Sequence, residues 1–99
     1  MAVHVLVLAV DLHLPQCRSL KAKRSVVKSI LDTSRRRYSV AAAETDHQNK
    51  WQRAQVGIAA VASSPTHCMD VIDEVERYIW SVPDAQVISS TRHWTEVDS

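Results

Sequence analysis

The sequence predicts an α+β fold, a ferredoxin-like βαββαβ sandwich whose antiparallel four-stranded sheet carries two helices on one face. Two observations support this prediction. Apolar, β-rich runs alternate with two amphipathic segments of helical period in the order strand, helix, strand, strand, helix, strand. A length of 99 residues also suffices for one hydrophobic core but not for two. We therefore expect residues 1–99 to form a single domain, with residues 95–99 as a loose tail.

The composition indicates a globular protein with an aliphatic core. There is no Phe and only one Gly, so the core must consist of Val, Ala, Leu and Ile. Cys17 and Cys68 are far apart and are expected to be free thiols. The apolar run from Val3 to Val10 follows no basic segment and is too short to cross a membrane. We expect a buried strand, a cytoplasmic location and no membrane partner.

The first half of the chain predicts a strand at residues 3–13, ended by Pro15, and then a helix. Ser19 is the expected N-cap of this helix, and Tyr38 lies near its end. The predicted apolar face comprises Leu20, Val27, Leu31 and Tyr38, with Ile30 and Ser34 at its edge. Basic residues border this face, and Arg35, Arg36 and Arg37 are expected to serve mainly as favourable charges at the helix C-terminus.

The second half predicts strands that begin at residue 40, at residue 54 and at residue 86, and a helix that ends at about Ser81. Ser64 followed by Pro65 is typical of a helix N-terminus. Gly57 within the third strand indicates a bulge or a close backbone approach. The polar residues 44–53 are expected to extend the two central strands into a hairpin.

The predicted topology brings the end of the first strand, the start of the first helix and the central hairpin to one end of the molecule. In this arrangement Asp11 and His13 lie two strand spacings, about 10 Å, from Glu44 and Asp46. Strand alternation would direct Glu44 and Asp46 to one face and His47 to the other. Three converging metal ligands are therefore not expected, and neither a metal nor another cofactor is predicted.

Charge is distributed unevenly along the chain. Residues 15–53 contain ten Lys or Arg and three acids, whereas residues 54–99 contain two basic residues and seven acidic ones. Lys21, Lys23 and Arg24 begin a helix whose dipole disfavours positive charge, so these residues indicate an anion or phosphate site. The alternative is an ordinary solvated helix face. Because the net charge is close to zero, indiscriminate coating of nucleic acid is not expected.

Trp51 lies between Lys50 and Arg53 in the polar segment. A tryptophan beside basic residues is typical of proteins that stack on bases of single-stranded or looped RNA. The alternative is that Trp51 folds over the sheet edge. The strands lack the paired aromatic motif of RNA-recognition domains, and the single glycine excludes a glycine-rich phosphate loop or a nucleophile elbow.

Two segments of the chain resemble a known family. Ser-Leu-Lys-Ala-Lys-Arg at residues 19–24 and Glu-Thr-Asp-His-Gln-Asn-Lys-Trp-Gln-Arg-Ala at residues 44–54 are similar to the bacterial YlxP-like family, a domain of unknown function. The resemblance implies a ferredoxin-like fold. It also implies genomic association with transcription, translation and ribosome-maturation genes, including a ribosome-binding factor, and it transfers no catalytic residue. Ala22 stands where the family often has an acid that would complete a capping box with Ser19.

These observations predict a non-catalytic binding protein that associates with ribosomal RNA or a ribosomal subunit. The predicted binding residues are Lys21, Lys23, Arg24, Lys28, Lys50, Trp51 and Arg53, supported by the polar residues Asp11, His13, Glu44, Asp46 and His47. The alternative is a small enzyme or metabolite-binding protein with a phosphate site at the same end. A homodimer through the open sheet face is a further hypothesis. Sequence-specific DNA binding is not expected.

Overall fold

The computed structural model describes the backbone of residues 2–98 and the side chains of residues 2–95. The elements are β1 (Ala2–His13), α1 (Leu20–Tyr38), β2 (Ala41–Asp46), β3 (Arg53–Ala62), α2 (Pro65–Trp80) and β4 (Gln86–Asp98). The strands form one sheet in the order β2-β3-β1-β4, and all neighbouring strands are antiparallel. Both helices pack against this sheet. The predicted ferredoxin-like fold is confirmed. No described helix is long and apolar enough to cross a membrane.

The core lies between the sheet and the helices. In β1, the side chains of Leu6, Leu8, Val10 and Leu12 are buried towards the helices, whereas the alternate residues are only half-buried on the other sheet face. The helices α1 and α2 thus cover one sheet face and leave the other open. This difference explains why an apolar run on both sides of β1 produces one fully buried face only.

Helix α1 has the predicted caps but a different buried face. The Ser19 side chain accepts a hydrogen bond from Ala22 N at 3.0 Å, and Ser39 ends the helix in a left-handed conformation with φ 55°. The buried residues are Lys23, Val27, Ile30 and Ser34. Of the predicted face, Val27 is buried and the other three residues are half-buried. The face is rotated because two polar residues are satisfied inside, including Ser34, whose hydroxyl donates to Ile30 O at 2.7 Å.

The β2–β3 hairpin contains one irregularity, at Thr45. Glu44 pairs with Val56 and Asp46 with Gln55, so Thr45 is an extra residue in β2. A Cβ atom on Gly57 would lie 2.9 Å from Thr45 Cγ2. The close approach predicted at Gly57 is therefore made by a side chain of the neighbouring strand, and the bulge belongs to β2.

Two predictions for the C-terminal half have different outcomes. Helix α2 begins at the expected N-cap Ser64, with Pro65 in its first turn, and buries four apolar residues towards the sheet. The tail expected to be loose is instead part of β4, because residues 95–98 pair with the start of β1. The polar composition of this segment shows no apolar pattern that would indicate a strand. The segment is a strand because it pairs with β1, more than eighty residues earlier in the chain, and that pairing is not visible in the local sequence. Ser99 lies outside the described residues.

Candidate nucleic-acid interface

The hairpin is attached to helix α1 through Lys23. The Lys23 ammonium donates to His47 O at 2.7 Å and to Gln48 O at 3.3 Å, and it lies 2.6 Å from Glu44 Oε2. The Lys23 side chain has no exposed surface. Two carbonyl acceptors and one carboxylate counter-charge therefore satisfy one buried charge. The prediction that Lys23 contacts a ligand requires correction, because its charge is used inside the domain.

A second set of hydrogen bonds attaches the hairpin to the β1–α1 connection. Gln52 Nε2 donates to Pro15 O at 3.2 Å and to Cys17 O at 3.3 Å, while Gln52 O accepts from Leu14 N at 2.9 Å. Within the turn, Lys50 N donates to His47 O at 3.0 Å. The turn that contains Lys50 and Trp51 is thereby held at the same end of the domain as the start of α1.

The exposed basic residues of this end include Lys21 and Arg24 on α1 and Lys50 in the turn. Among the side chains that the structure describes, these three form no ion pair. Lys28 is also exposed, but its ammonium donates to Asp32 Oδ2 at 2.9 Å. That hydrogen bond, together with nearby arginines, lowers the pKa of Asp32 below its ordinary value of 3.8. Lys28 is therefore a weaker candidate for phosphate contact than the other three.

The Trp51 side chain projects into solvent from the turn that also contains Lys50. Trp51 is 55% exposed, so more than half of its surface is available to a partner. We name the group of Lys21, Arg24, Lys50 and Trp51 the polar-end surface. Trp80 and Trp94 are also exposed, by 62% and 49%.

Arg53 lies on a different face from the α1 residues. It is paired with His13 in the β1–β3 register and is half-buried on the open side of the sheet. Its Nε atom is buried and donates no hydrogen bond to any residue that the structure describes. The predicted binding set is thus divided between the helical side of the hairpin and its open-sheet side.

On the open side, Asp11 and His47 come together. The imidazole Nε2 of His47 lies 3.9 Å from Asp11 Oδ1, and its Nδ1 lies 3.9 Å from Asp46 Oδ1. The bulge at Thr45 and the left-handed backbone of His47, with φ 64°, redirect this ring. The predicted separation of Asp11 from the hairpin is therefore spanned by the imidazole, on the face opposite Glu44 to which strand alternation assigned His47.

The carboxylate of Asp11 is held by residues that sequence reasoning missed. Asp11 Oδ1 accepts from Gln55 Nε2 at 3.4 Å, and Oδ2 accepts from Ser89 Oγ at 3.1 Å. Both partners face Asp11 directly in the strand register, so an aligned sheet was needed to find them. His13 Nδ1 lies 3.3 Å from Gln86 Oε1 in the same way. Within the described part of the chain, no three His, Cys, Asp or Glu residues are grouped to bind a metal.

Comparisons with solved structures support the fold. A de novo designed protein with a ferredoxin fold, solved by NMR, superimposes with a TM-score of 0.54 over 96% of this chain and 86% of its own, at 13% identity. The designed protein Foldit4 gives a TM-score of 0.52 over 97% of this chain and 98% of its own, also at 13% identity. At this identity the similarity concerns the fold alone.

Comparisons of sequence identify the family. The chain is 36% identical to the uncharacterized protein YlxP of Bacillus subtilis (strain 168) over 76 residues, which are 77% of this chain and 83% of the relative. The profile of a protein family of unknown function, DUF503, matches residues 5–92. The match includes most of β1, both helices and the whole hairpin. This chain therefore belongs to the DUF503 family.

Proposed function

We propose that this protein is a non-catalytic RNA-binding module that associates with a ribosomal particle through the polar-end surface. The observation that carries the proposal is the attached hairpin, which presents a 55% exposed Trp51 at the same end as the start of α1. A rigidly presented aromatic side chain stacks on an unpaired base without a large ordering cost. Stacking of this kind contributes about 1–3 kcal/mol per base.

The start of α1 supplies the complementary attraction for phosphate. No acidic residue occurs in its first turn, and Lys21 and Arg24 are exposed there. The helix dipole places partial positive charge at the same point, so a phosphate is favoured by both. Stability alone would favour acids in that turn. Basic residues in their place are better explained by an anionic partner.

Co-sedimentation with bacterial ribosomal subunits, at low and at high salt, tests this proposal. We expect the protein in the particle fractions at low salt and its progressive loss as salt rises, because phosphate contacts release counterions. Arg24→Gln and Trp51→Ala should weaken the association. Arg36→Gln removes the same charge from the other end of α1 and is the matched control. Absence from the particle fractions at every salt concentration, or equal losses in Arg24→Gln and Arg36→Gln, would contradict the proposal.

A second candidate is a metabolite-binding protein or small enzyme that uses the Asp11–His47 pair. The 3.9 Å separation of Asp11 Oδ1 and His47 Nε2 on the open face favours it. Phosphorylated small molecules should then raise the melting temperature by mass action. Asp11→Asn and His47→Gln should abolish the shift, whereas Arg24→Gln should not. A screen at millimolar concentration without any shift would remove this candidate.

We also propose a homodimer through the open sheet face. A shallow apolar groove of about 210 Å³ lies on that face, and most of its lining residues are small. It is lined by Val7, Ala41, Ala42, Ala43, Thr45, Gly57, Ile58 and Ala59. Val61 on the same side of β3 is 65% exposed. A flat surface of small apolar residues can be covered by a second copy related by a two-fold axis.

The cysteines support the proposed cytoplasmic location. Cys17 and Cys68 are both buried and free. Free thiols are typical of proteins in reducing compartments.

A further inference from the structure

A groove of about 500 Å³ runs between the two helices, on the side of the domain opposite the open sheet face. Two arginines, two tyrosines, a carboxylate and a hydroxyl share it. The lining residues are Arg37, Tyr38, Glu74, Arg77, Tyr78 and Ser81. Volumes of about 300–1,000 Å³ are typical of small-molecule sites. None of these residues belongs to the polar-end surface or to the Asp11–His47 pair.

The charged groups of the groove are not paired with each other. Within the described residues, Arg37, Glu74 and Arg77 form no ion pair. Elsewhere in the domain, opposite charges do pair: Arg92 lies 2.8 Å from Asp73 and 2.9 Å from Glu76. Two guanidinium groups and one carboxylate therefore line the groove with their hydrogen-bonding capacity unused by the protein. A ligand with an anionic group and hydroxyl donors would bind both: its anionic group would contact the guanidinium groups, and its hydroxyls would donate to the carboxylate.

The aromatic groups of the groove are two tyrosine rings that lie close to each other. The rings of Tyr38 and Tyr78 have centroids 6.0 Å apart and are tilted by 41°. The guanidinium of Arg37 lies 5.4 Å from the centre of the Tyr38 ring. Both tyrosines are half-buried, so part of each ring is accessible. Aromatic rings and guanidinium planes are the surfaces on which unpaired nucleobases stack.

We propose that this groove binds a ribonucleoside 5′-phosphate. The phosphate contacts the guanidinium groups of Arg37 and Arg77, which suit the geometry of phosphate oxygens. The base stacks against one of the two tyrosine rings, because rings inclined by 41° cannot both lie parallel to one base. The ribose hydroxyls donate to the carboxylate of Glu74, as acidic residues do in other nucleotide sites. The ligand is either a free nucleotide or an unstacked residue of an RNA chain, and this site is separate from the polar-end surface.

The test is an NMR titration of the ¹⁵N-labelled full chain with adenosine 5′-monophosphate, with its 2′-deoxy form and with inorganic phosphate. We expect saturable shift changes confined to residues 37–38 and 74–81. Arg77→Gln should weaken binding about tenfold, the effect of one lost charge-assisted hydrogen bond. The deoxynucleotide should bind about fivefold more weakly, less than that tenfold because the groove is open to water. Glu74→Ala should remove this preference for ribose.

Control variants, and a comparison of a free nucleotide with an RNA chain as the ligand, complete the experiment. Arg36 is the sequence neighbour of Arg37 but does not line the groove. Arg24 belongs to the polar-end surface. The variants Arg36→Gln and Arg24→Gln should therefore both leave the titration unchanged. Tighter binding of a short single-stranded oligoribonucleotide, lost in Arg77→Gln, assigns the ligand to RNA, while equal binding assigns it to a free nucleotide. The absence of shifts in the groove at millimolar nucleotide would overturn the proposal. Identical shifts with inorganic phosphate alone would also overturn it.

Discussion

The ammonium of Lys23 lies 2.6 Å from the carboxylate of Glu44 although the Lys23 side chain is completely buried. This ion pair joins α1 to β2, and the carbonyl groups of His47 and Gln48 complete the coordination of the charge. Removal of a buried charge from water is costly, and only close, well-hydrogen-bonded partners offset that cost. The position of the hairpin, and with it the polar-end surface, depends on this internal contact.

We expect Lys23→Met to lower the free energy of unfolding by about 3–5 kcal/mol, because Glu44 would lose its buried counter-charge. Urea denaturation measures the change. The double variant Lys23→Met/Glu44→Leu should recover most of the loss, since no unpaired charge then remains. Lys21→Met, two residues away and exposed, is the control and should change stability by no more than about 0.5 kcal/mol. Equal small effects of Lys21→Met and Lys23→Met would show that the ion pair is unimportant.

The start of α1 allows stability and RNA affinity to be separated. Ala22→Gln should complete a capping box with Ser19 and raise stability by about 0.5–1 kcal/mol without changing charge. Ala22→Glu should stabilise the helix at least as much, because the helix dipole favours a negative charge at the N-terminus. The same negative charge should weaken binding to RNA. Thermal melts and filter binding at fixed salt measure the two effects. Unchanged RNA affinity in Ala22→Glu would argue against the polar-end surface as the phosphate site.

Gly57 and Thr45 should show strong coupling in a double-mutant cycle. In the wild-type background, Gly57→Ala should destabilise by about 1 kcal/mol, because the new Cβ would approach the Thr45 methyl group too closely. Thr45→Ser removes that methyl group and keeps the hydroxyl that donates to Gln55 Oε1 at 2.8 Å. In the Thr45→Ser background, Gly57→Ala should stabilise by about 0.5 kcal/mol, because alanine is less costly than glycine in a strand. Additive effects in chemical denaturation would exclude this contact.

The buried thiol of Cys17 should make the protein less stable at alkaline pH. Burial, assisted by the negative charge of Asp84, raises the pKa of the Cys17 thiol above its ordinary value of 9.0. The unfolded chain thus releases the thiol proton at a lower pH than the folded chain, so stability should fall as pH rises through 9.0. Unfolding measured at several alkaline pH values should show this slope, and Cys17→Ala should reduce it. The same slope in both proteins would exclude a contribution from Cys17.

A substitution at Ala43 tests the proposed homodimer through the open sheet face. It is exposed on β2 and lines the shallow groove of the open sheet face. Sedimentation equilibrium at high micromolar concentration should give the mass of two chains for the wild type and of one chain for Ala43→Arg, because a charge at a buried interface is costly. Ala22→Arg introduces the same side chain on the helical side and should remain dimeric. A wild-type protein that is monomeric under these conditions would contradict the proposal.

Local patterns were sufficient to predict the order of the elements and the caps at Ser19 and Ser64. These features depend on residues only a few positions apart, whose periodicity and capping chemistry are visible along the chain. The hairpin at residues 44–53 was predictable for the same reason. Trp51 was correctly placed in it, although its exposure became known only from the fold.

Long-range packing determined the remainder. Lys23 occupies a position that shares helical spacing with Val27, Ile30 and Ser34, yet its burial requires acceptors 21–25 residues away. The approach of Asp46 to His47 likewise depends on a bulge and a left-handed residue, which strand alternation does not encode. The inter-helical groove brings together residues almost forty positions apart. A charged side chain can be buried only where distant groups satisfy it, so its location is a property of the assembled fold.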